Sequence, residues 1–280
     1  MNAGLDVVRR QGVARRTFCG WGLTGGAVLA AGLGANVAHA AAPAVSGLVF
    51  TYHALPGIRP LAHEALRRTL GARLRQWQAE GVIAGSRVLF NRHADADQWD
   101  AMALVEFPAS VAGERWNALE REFPAGLDAQ TLGLLGAVHT VPVELARRRS
   151  QAPAPASPVV LAIPYQALVP AAEYLAYVDA YATPQFDGWM REGALSQYSL
   201  WSASYPASRP WTHLLLLDYR SDKSLADRDA VVAKVRAELK NVPQWRAVSE
   251  NKAKVREEKQ VIVADDIAQA AAAEAGGRHD

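Results

Sequence analysis

Trp77-Gln78-Ala79-Glu80-Gly81, with Trp99 standing 22 residues after its tryptophan, returns as Trp189-Met190-Arg191-Glu192-Gly193 with Trp211 standing 22 residues after Trp189. Both tryptophans and the Glu-Gly pair therefore recur at a spacing of 112 residues without a gap. In the same register Leu104 falls on Leu216, Glu106-Phe107 on Asp218-Tyr219, and Leu48-Val49 on Val160-Leu161. Tryptophan is rare, so two coincident pairs in one frame point to an internal repeat, a feature that decides architecture before any other. Register fails only near the end, where Glu144 meets Glu258 at an offset of 114. That places an insertion in the loop after the second helix of the second half.

On either side of these anchors the apolar period changes in the same order. Leu48 to Tyr52 and Val159 to Ile163 are short β-prone runs. Leu66, Leu70, Leu74 and Trp77 then form a helical stripe, with Arg67, Arg68, Arg73 and Arg75 off it. Tyr174, Tyr177, Tyr181 and Trp189 form its counterpart, interrupted by Pro184, which should kink or divide that helix. Gly81 and Gly193 stand where a helix needs its C-terminal cap. Two strands follow in each half, over 87–90 and 102–107, then over 199–201 and 213–219. Second helices are expected over 111–123 and 225–239, and last strands over 137–145 and 255–264.

Each half thus reads β-α-β-β-α-β, the split βαβ order. The first unit covers 46–146 and the second 159–266, with a Pro/Ala linker at 147–158 and a frayed, disordered tail at 267–280. Leu214 to Leu217 shows no polar alternation, so the sheet face away from the helices is apolar and needs a cover. The expected fold class is α+β: two tandem ferredoxin-like units packed sheet to sheet, each closing the other's open β face.

This element order, the duplication and the repeated Trp and Glu-Gly positions resemble the dimeric α+β barrel superfamily in its tandem, single-chain form, over about residues 46–266. The resemblance implies a pocket between the facing sheets. Members of that superfamily include cofactor-independent monooxygenases, small cyclases, and haem enzymes such as chlorite dismutases and dye-decolourising peroxidases, so fold alone does not give function. Tandem haem members carry an axial histidine on a helix of the C-terminal unit. Here that unit holds only His213, inside an apolar strand run, with His279 in the tail, and Gly-x-x-Asp-Gly is missing. The expectation is no cofactor, with haem disfavoured.

The first forty residues read as a cleaved export signal. Arg15-Arg16 followed by Phe18 has the twin-arginine pattern, an apolar Gly/Ala-rich stretch follows, and Ala38-His39-Ala40 offers a cleavage site. The expected destination is the periplasm or beyond, with the export machinery as a passing partner. The whole chain is formally +2, but the signal carries four arginines and one aspartate, so the mature part is about −1. Nucleic acid and, after cleavage, the membrane are therefore not expected partners. The lone cysteine, Cys19, leaves with the signal, which removes disulfides, thiolate nucleophiles and thiolate ligands.

Candidate site residues follow from the facing-sheet pocket. His53 ends the first strand, and Tyr165 is its counterpart at the 112-residue offset. His213 lies in a strand two residues after Trp211. Either histidine could be a general base, or simply a structural residue. Glu106 and Asp218 are carboxylates kept at matching positions, suited to acid–base work or to pairing with an arginine. Trp201 and Tyr198 have no aromatic counterpart in the first half, so with Tyr165 they are candidates for lining an aromatic ligand. The remaining histidines are scattered, and no metal site is expected. The leading expectation is an exported soluble protein binding a small apolar or aromatic molecule between its sheets, without a tightly bound metal. The alternatives are a cofactor-independent monooxygenase or cyclase acting on a phenolic or polyketide-like substrate, and a structural interaction module.

Overall fold

The computed structural model describes residues 45–267 apart from 96, 109–111, 156–157 and 208. The expected signal over 1–40, and all but the first residue of the expected tail at 267–280, lie outside the described residues.

The first half runs β1 (Ser46–Ala54), α1 (Arg59–Ala79), β2 (Gly85–Asn91), β3 (Ala101–Glu106), α2 (Ala112–Glu122), a short α3 (Ala129–Leu132) and a long β4 (Leu135–Ser150). The second runs β5 (Val159–Ala167), α4 (Ala171–Tyr177), a π turn over Val178–Ala182, α5 (Thr183–Arg191), β6 (Leu195–Ala203) and β7 (His213–Tyr219). It ends with α6 (Asp222–Ala226), α7 (Arg228–Leu239), α8 (Pro243–Ser249), α9 (Lys252–Val255), β8 (Arg256–Glu258) and β9 (Ile262–Asp266). The expected break at Pro184 takes the form of the π turn. Pro184 then lies in the first turn of α5.

All strand pairs are antiparallel. The order is β7-β6-β4-β1-β3-β2-β9-β5, and β5 pairs in turn with β7, so eight strands close into a ring. β8 adds three residues to the far end of β5. The halves therefore meet edge to edge as well as face to face. β4 joins β6 along one seam, and β2 joins β9 along the other. The first seam corrects the expected linker: Arg147 to Ser150 are ladder residues opposite Leu200 to Gln197, which leaves 151–158 as the connection.

Three apolar layers result. Leu66, Leu70, Leu74, Trp77 and Trp116 pack the first half's helices on Phe50, Tyr52 and Val105. Tyr174, Tyr181, Phe186, Trp189 and Val235 do the same for the second half, over Leu161, Ile163, Leu215 and Leu217. Inside the ring Val49, Met102, Leu104, Val143, Val160, Leu214, Leu216 and Trp201 fill the barrel with side chains from both halves. No described helix is long and apolar enough to cross a membrane.

The 112-residue register holds in β3 and β7 but slips by one residue in the first strands. Leu104 faces Val49 across the ladder, whereas Leu216 faces Ala162, not Leu161. A one-residue slip turns every side chain to the other face. Tyr165 therefore points to the helices, and the ladder equivalent of His53 is Gln166.

Candidate functional site

The end of the barrel where β1 begins is closed by ion pairs. Arg148 grips Glu106 with two nitrogens, at 3.0 and 2.5 Å. Arg87 reaches Asp218 at 3.2 Å and Asp266 at 2.9 Å, with its side chain only 12% exposed. Burial raises the pKa of Asp218, against the pull of Arg87. The two matched carboxylates, nominated for acid–base work, are thus bound up with arginines around a small polar recess of about 340 Å³.

Halfway along the axis Trp201 is fully buried, with its Nε1 donating to Ser199 Oγ at 3.2 Å. It packs the barrel interior and lines none of the cavities described here. At the opposite end, where β1 finishes, the ring opens into a mouth of about 730 Å³ that contains His53.

A different cavity lies between the second half's helices and its sheet, with a volume of about 490 Å³. Leu161, Ile163, Leu215, Leu217, Phe186 and Trp189 give it apolar walls. Four cations also line it, Arg228, Arg236, Lys252 and Arg256, against one carboxylate, Glu258. The local fold explains their positions. The Tyr181 carbonyl, within the π turn, accepts from Gln185 Nε2 at 2.9 Å and Trp245 Nε1 at 3.0 Å. Gln185 Oε1 in turn accepts from Arg236 Nε at 2.8 Å and holds that guanidinium at the cavity. Arg256 lies 4.1 Å over the Tyr165 ring and 5.9 Å from that of Tyr177. Burial raises the pKa of both tyrosines, while Arg256 opposes it.

Among the described residues, ten of eleven buried side-chain polar atoms without a hydrogen-bond partner lie in the second half. Three of them, Trp189 Nε1, Arg228 Nε and Arg256 Nε, belong to side chains that line this cavity. Both arginines do have other partners, Arg228 in Asp229 at 2.9 Å and Arg256 in the Tyr174 hydroxyl.

The nominated aromatics divide accordingly. Tyr165 lines this cavity, and Tyr198 lies beside it under the same helices, with Arg147 and Tyr174 around it. His213 faces the helices too, its ring 4.0 Å from that of Tyr174. Thr212 Oγ1 donates to the Tyr165 carbonyl at 3.1 Å, so His213 Nδ1 donates to Thr212 Oγ1 at 3.0 Å and the lone pair sits on Nε2. Sequence reasoning missed Arg236, Arg256 and Gln185. Arg236 in α7 and Arg256 in β8 belong to separate elements and give no spacing signal, and only the structure shows that Gln185 points inward.

Burial lowers the pKa of His213 to about 4. An unfolded histidine titrates near 6.5, so this residue favours the fold fully above that pH and progressively less as the pH falls towards 4. Urea denaturation at pH 7 and pH 4.5 is expected to show a loss of roughly 3 kcal/mol at most from this group. His213→Phe should reduce that loss. Equal acid sensitivity in both proteins would rule the histidine out as its source.

Among the described residues no group of three or more His, Cys, Asp or Glu is placed to hold a metal ion. No family model matches the chain, and no curated protein is significantly similar to it in sequence. Solved structures do match its shape. An anthrone oxidase-like protein superposes with a TM-score of 0.52 at 9% identity, over 81% of this chain and 92% of that one. A candidate monooxygenase from Lactobacillus acidophilus gives 0.49 at 10% identity, over 80% and 94%. A haem-binding protein from Thermus thermophilus gives 0.47 at 15% identity, over 80% and 91%. The chain has a mixed α+β fold built on a large antiparallel sheet, similar to that of the anthrone oxidase-like structure.

One expectation is corrected here. A chain without a cofactor, haem disfavoured, was expected from its histidines, yet haem-binding and chlorite dismutase structures are among those of matching shape. The absence of one histidine pattern does not exclude a cofactor on this fold. For a flat ring bearing carboxylates, the second half's cavity offers four cations and apolar walls. No histidine, cysteine or methionine is among its lining residues.

Proposed function

We propose that this chain binds a small molecule with an apolar or aromatic body and an acidic group, held in the cavity between the helices and sheet of its second half. One observation carries the reading: four cations, of which Arg228 pairs with Asp229 and Lys252 with Glu258, line a cavity with an apolar, aromatic floor. A carboxylate set against Arg236, Lys252 and Arg256 would satisfy charge that only Glu258 now offsets, while its apolar body would cover Leu161, Phe186 and Leu215. The enzymatic alternative needs a base at the ligand. His213, neutral at pH 7, stands behind Tyr174 and outside the cavity wall, so binding is the preferred reading.

The two halves are read as copies of one ferredoxin-like unit. The chain is read as exported through its twin-arginine signal to the periplasm or beyond, with neither nucleic acid nor membrane as a partner.

Titration calorimetry with dodecanoate and its methyl ester tests the site. The acid should bind at least tenfold more tightly, since a charge-assisted contact contributes about 1.5–3 kcal/mol. Arg256→Gln should remove most of that difference. An ester that binds as well as the acid, or no binding by either, would count against the reading. Native mass spectrometry with an absorbance spectrum on the purified protein identifies any resident ligand, and a Soret band would make haem the occupant.

A further inference from the structure

Trp99 and Trp211, the repeated pair, are used by neither the ion-paired end nor the helix–sheet cavity. They stand together in the wall of the barrel mouth, each under one-tenth exposed. Met102 and Leu214 form the floor beneath them, and Pro164 and Pro210 complete an apolar enclosure. The slip in the first strands breaks the symmetry of the polar corner. His53 and His139, on the neighbouring strands β1 and β4, meet there edge to face at 5.3 Å between ring centres. Gln166 takes the position of His53 in the other half, so this mouth has one imidazole corner.

The rim is tied across the seam between the halves. Gln98 donates to Gln260 at 2.5 Å, and Gln260 donates to Asp95 at 2.7 Å. The charges at the rim are largely committed elsewhere. Lys259 pairs with Glu257 at 2.8 Å, and Arg209 donates to the Thr140 carbonyl at 2.7 Å. Asp100 is held by Arg59 at 2.6 Å and by the Ala54 N–H at 2.7 Å. Asp97 is the remaining acid at the rim, and the charges around it do not select for an anion.

We propose that the barrel mouth is a second binding site, separate from the helix–sheet cavity, for a neutral flat aromatic molecule that donates a hydroxyl or ring N–H to His53. A space of about 730 Å³ lies within the range of small-molecule pockets, and two indoles supply flat faces for stacking. Burial and the neighbouring His139 lower the pKa of His53, and Asp100 and the Gln98 backbone only partly offset them. The imidazole is therefore neutral at pH 7 and accepts a hydrogen bond. Of the titratable groups near this corner, His139 meets the ring edge to face and Asp100 acts on it through its charge.

Tryptophan fluorescence titration with 2-naphthol and 2-methoxynaphthalene reads the proposal directly. Naphthol should bind about tenfold more tightly, the value of one hydrogen bond of roughly 1.4 kcal/mol. His53→Leu should erase that preference and leave methoxynaphthalene binding unchanged, while His53→Gln, which keeps an acceptor, should restore part of it. Trp99→Phe should weaken both ligands less than Trp99→Ala does. Saturating dodecanoate should not displace naphthol. A preference that survives His53→Leu, displacement by dodecanoate, or no binding of either probe would overturn the second site. The dodecanoate experiment stands or falls separately, so failure here leaves the helix–sheet reading to its own test.

Discussion

Arg87→Met is expected to lower stability by about 3–5 kcal/mol, because it removes the cation that pairs with buried Asp218 and also bonds Asp266. Arg87 joins β2 of the first half to β7 and β9 of the second, so its loss is felt at the seam between the halves. The sign with pH is distinctive. The pKa of Asp218 is already raised by burial and would rise further without Arg87. A carboxylate whose folded pKa is raised favours the fold when protonated and penalises it once ionised. The variant should therefore be most impaired at neutral pH and recover part of its deficit as the pH falls towards 5. Thermal unfolding should show a drop on the order of 10 °C at pH 7. A drop that is constant from pH 5 to pH 8 would show that lost packing, not stranded charge, is the cause.

Trp201→Ala should cost a similar amount, about 3–5 kcal/mol, for a different reason. The indole is fully buried among Val143, Leu145, Leu214 and Leu216, and Arg148 lies 5.3 Å from its ring. Deleting it leaves an apolar void at mid-barrel that the rigid strands can only partly close. Trp201→Phe should recover most of the loss. Denaturant midpoints measured for both variants separate this packing role from ligand contact. A Trp201→Ala protein of unchanged stability but weakened aromatic binding would return the residue to the list of ligand-lining groups.

Much of the architecture could be read from residues, and the reason is physical. Trp77 and Trp189 sit at matching places under helices, Trp99 and Trp211 at matching places in the mouth, and Glu106 and Asp218 at the ion-paired end. Large, costly side chains hold their register where packing depends on them. The first strands gave a false register because Val159 to Ile163 is buried on both faces. Without polar alternation, a period of two leaves the facing of each residue open. That single slip sent Tyr165 to the barrel interior in the sequence reading and to the helices in the structure.

The candidate site was less legible. His53 lines the mouth cavity, but its companion His139 lies on a strand 86 residues away with nothing in the sequence to pair them. Glu106 and Asp218 could not be resolved from sequence between chemistry and ion pairing, because their partners Arg148 and Arg87 reach them only through tertiary closure. The cations of the helix–sheet cavity come from three elements: Arg228 and Arg236 from α7, Lys252 from α9 and Arg256 from β8. Their convergence depends on how α7, α9 and β8 fold back over the sheet.

Strand β9 pairs with β2 on one side and β5 on the other, so the last described strand completes the ring. During synthesis the barrel cannot zip shut until residues 262–266 have left the ribosome. Until then β2 and β5 each present a raw edge able to recruit strands from other nascent chains. Ribosomes stalled upstream of residue 262 should yield aggregates, not half-barrels.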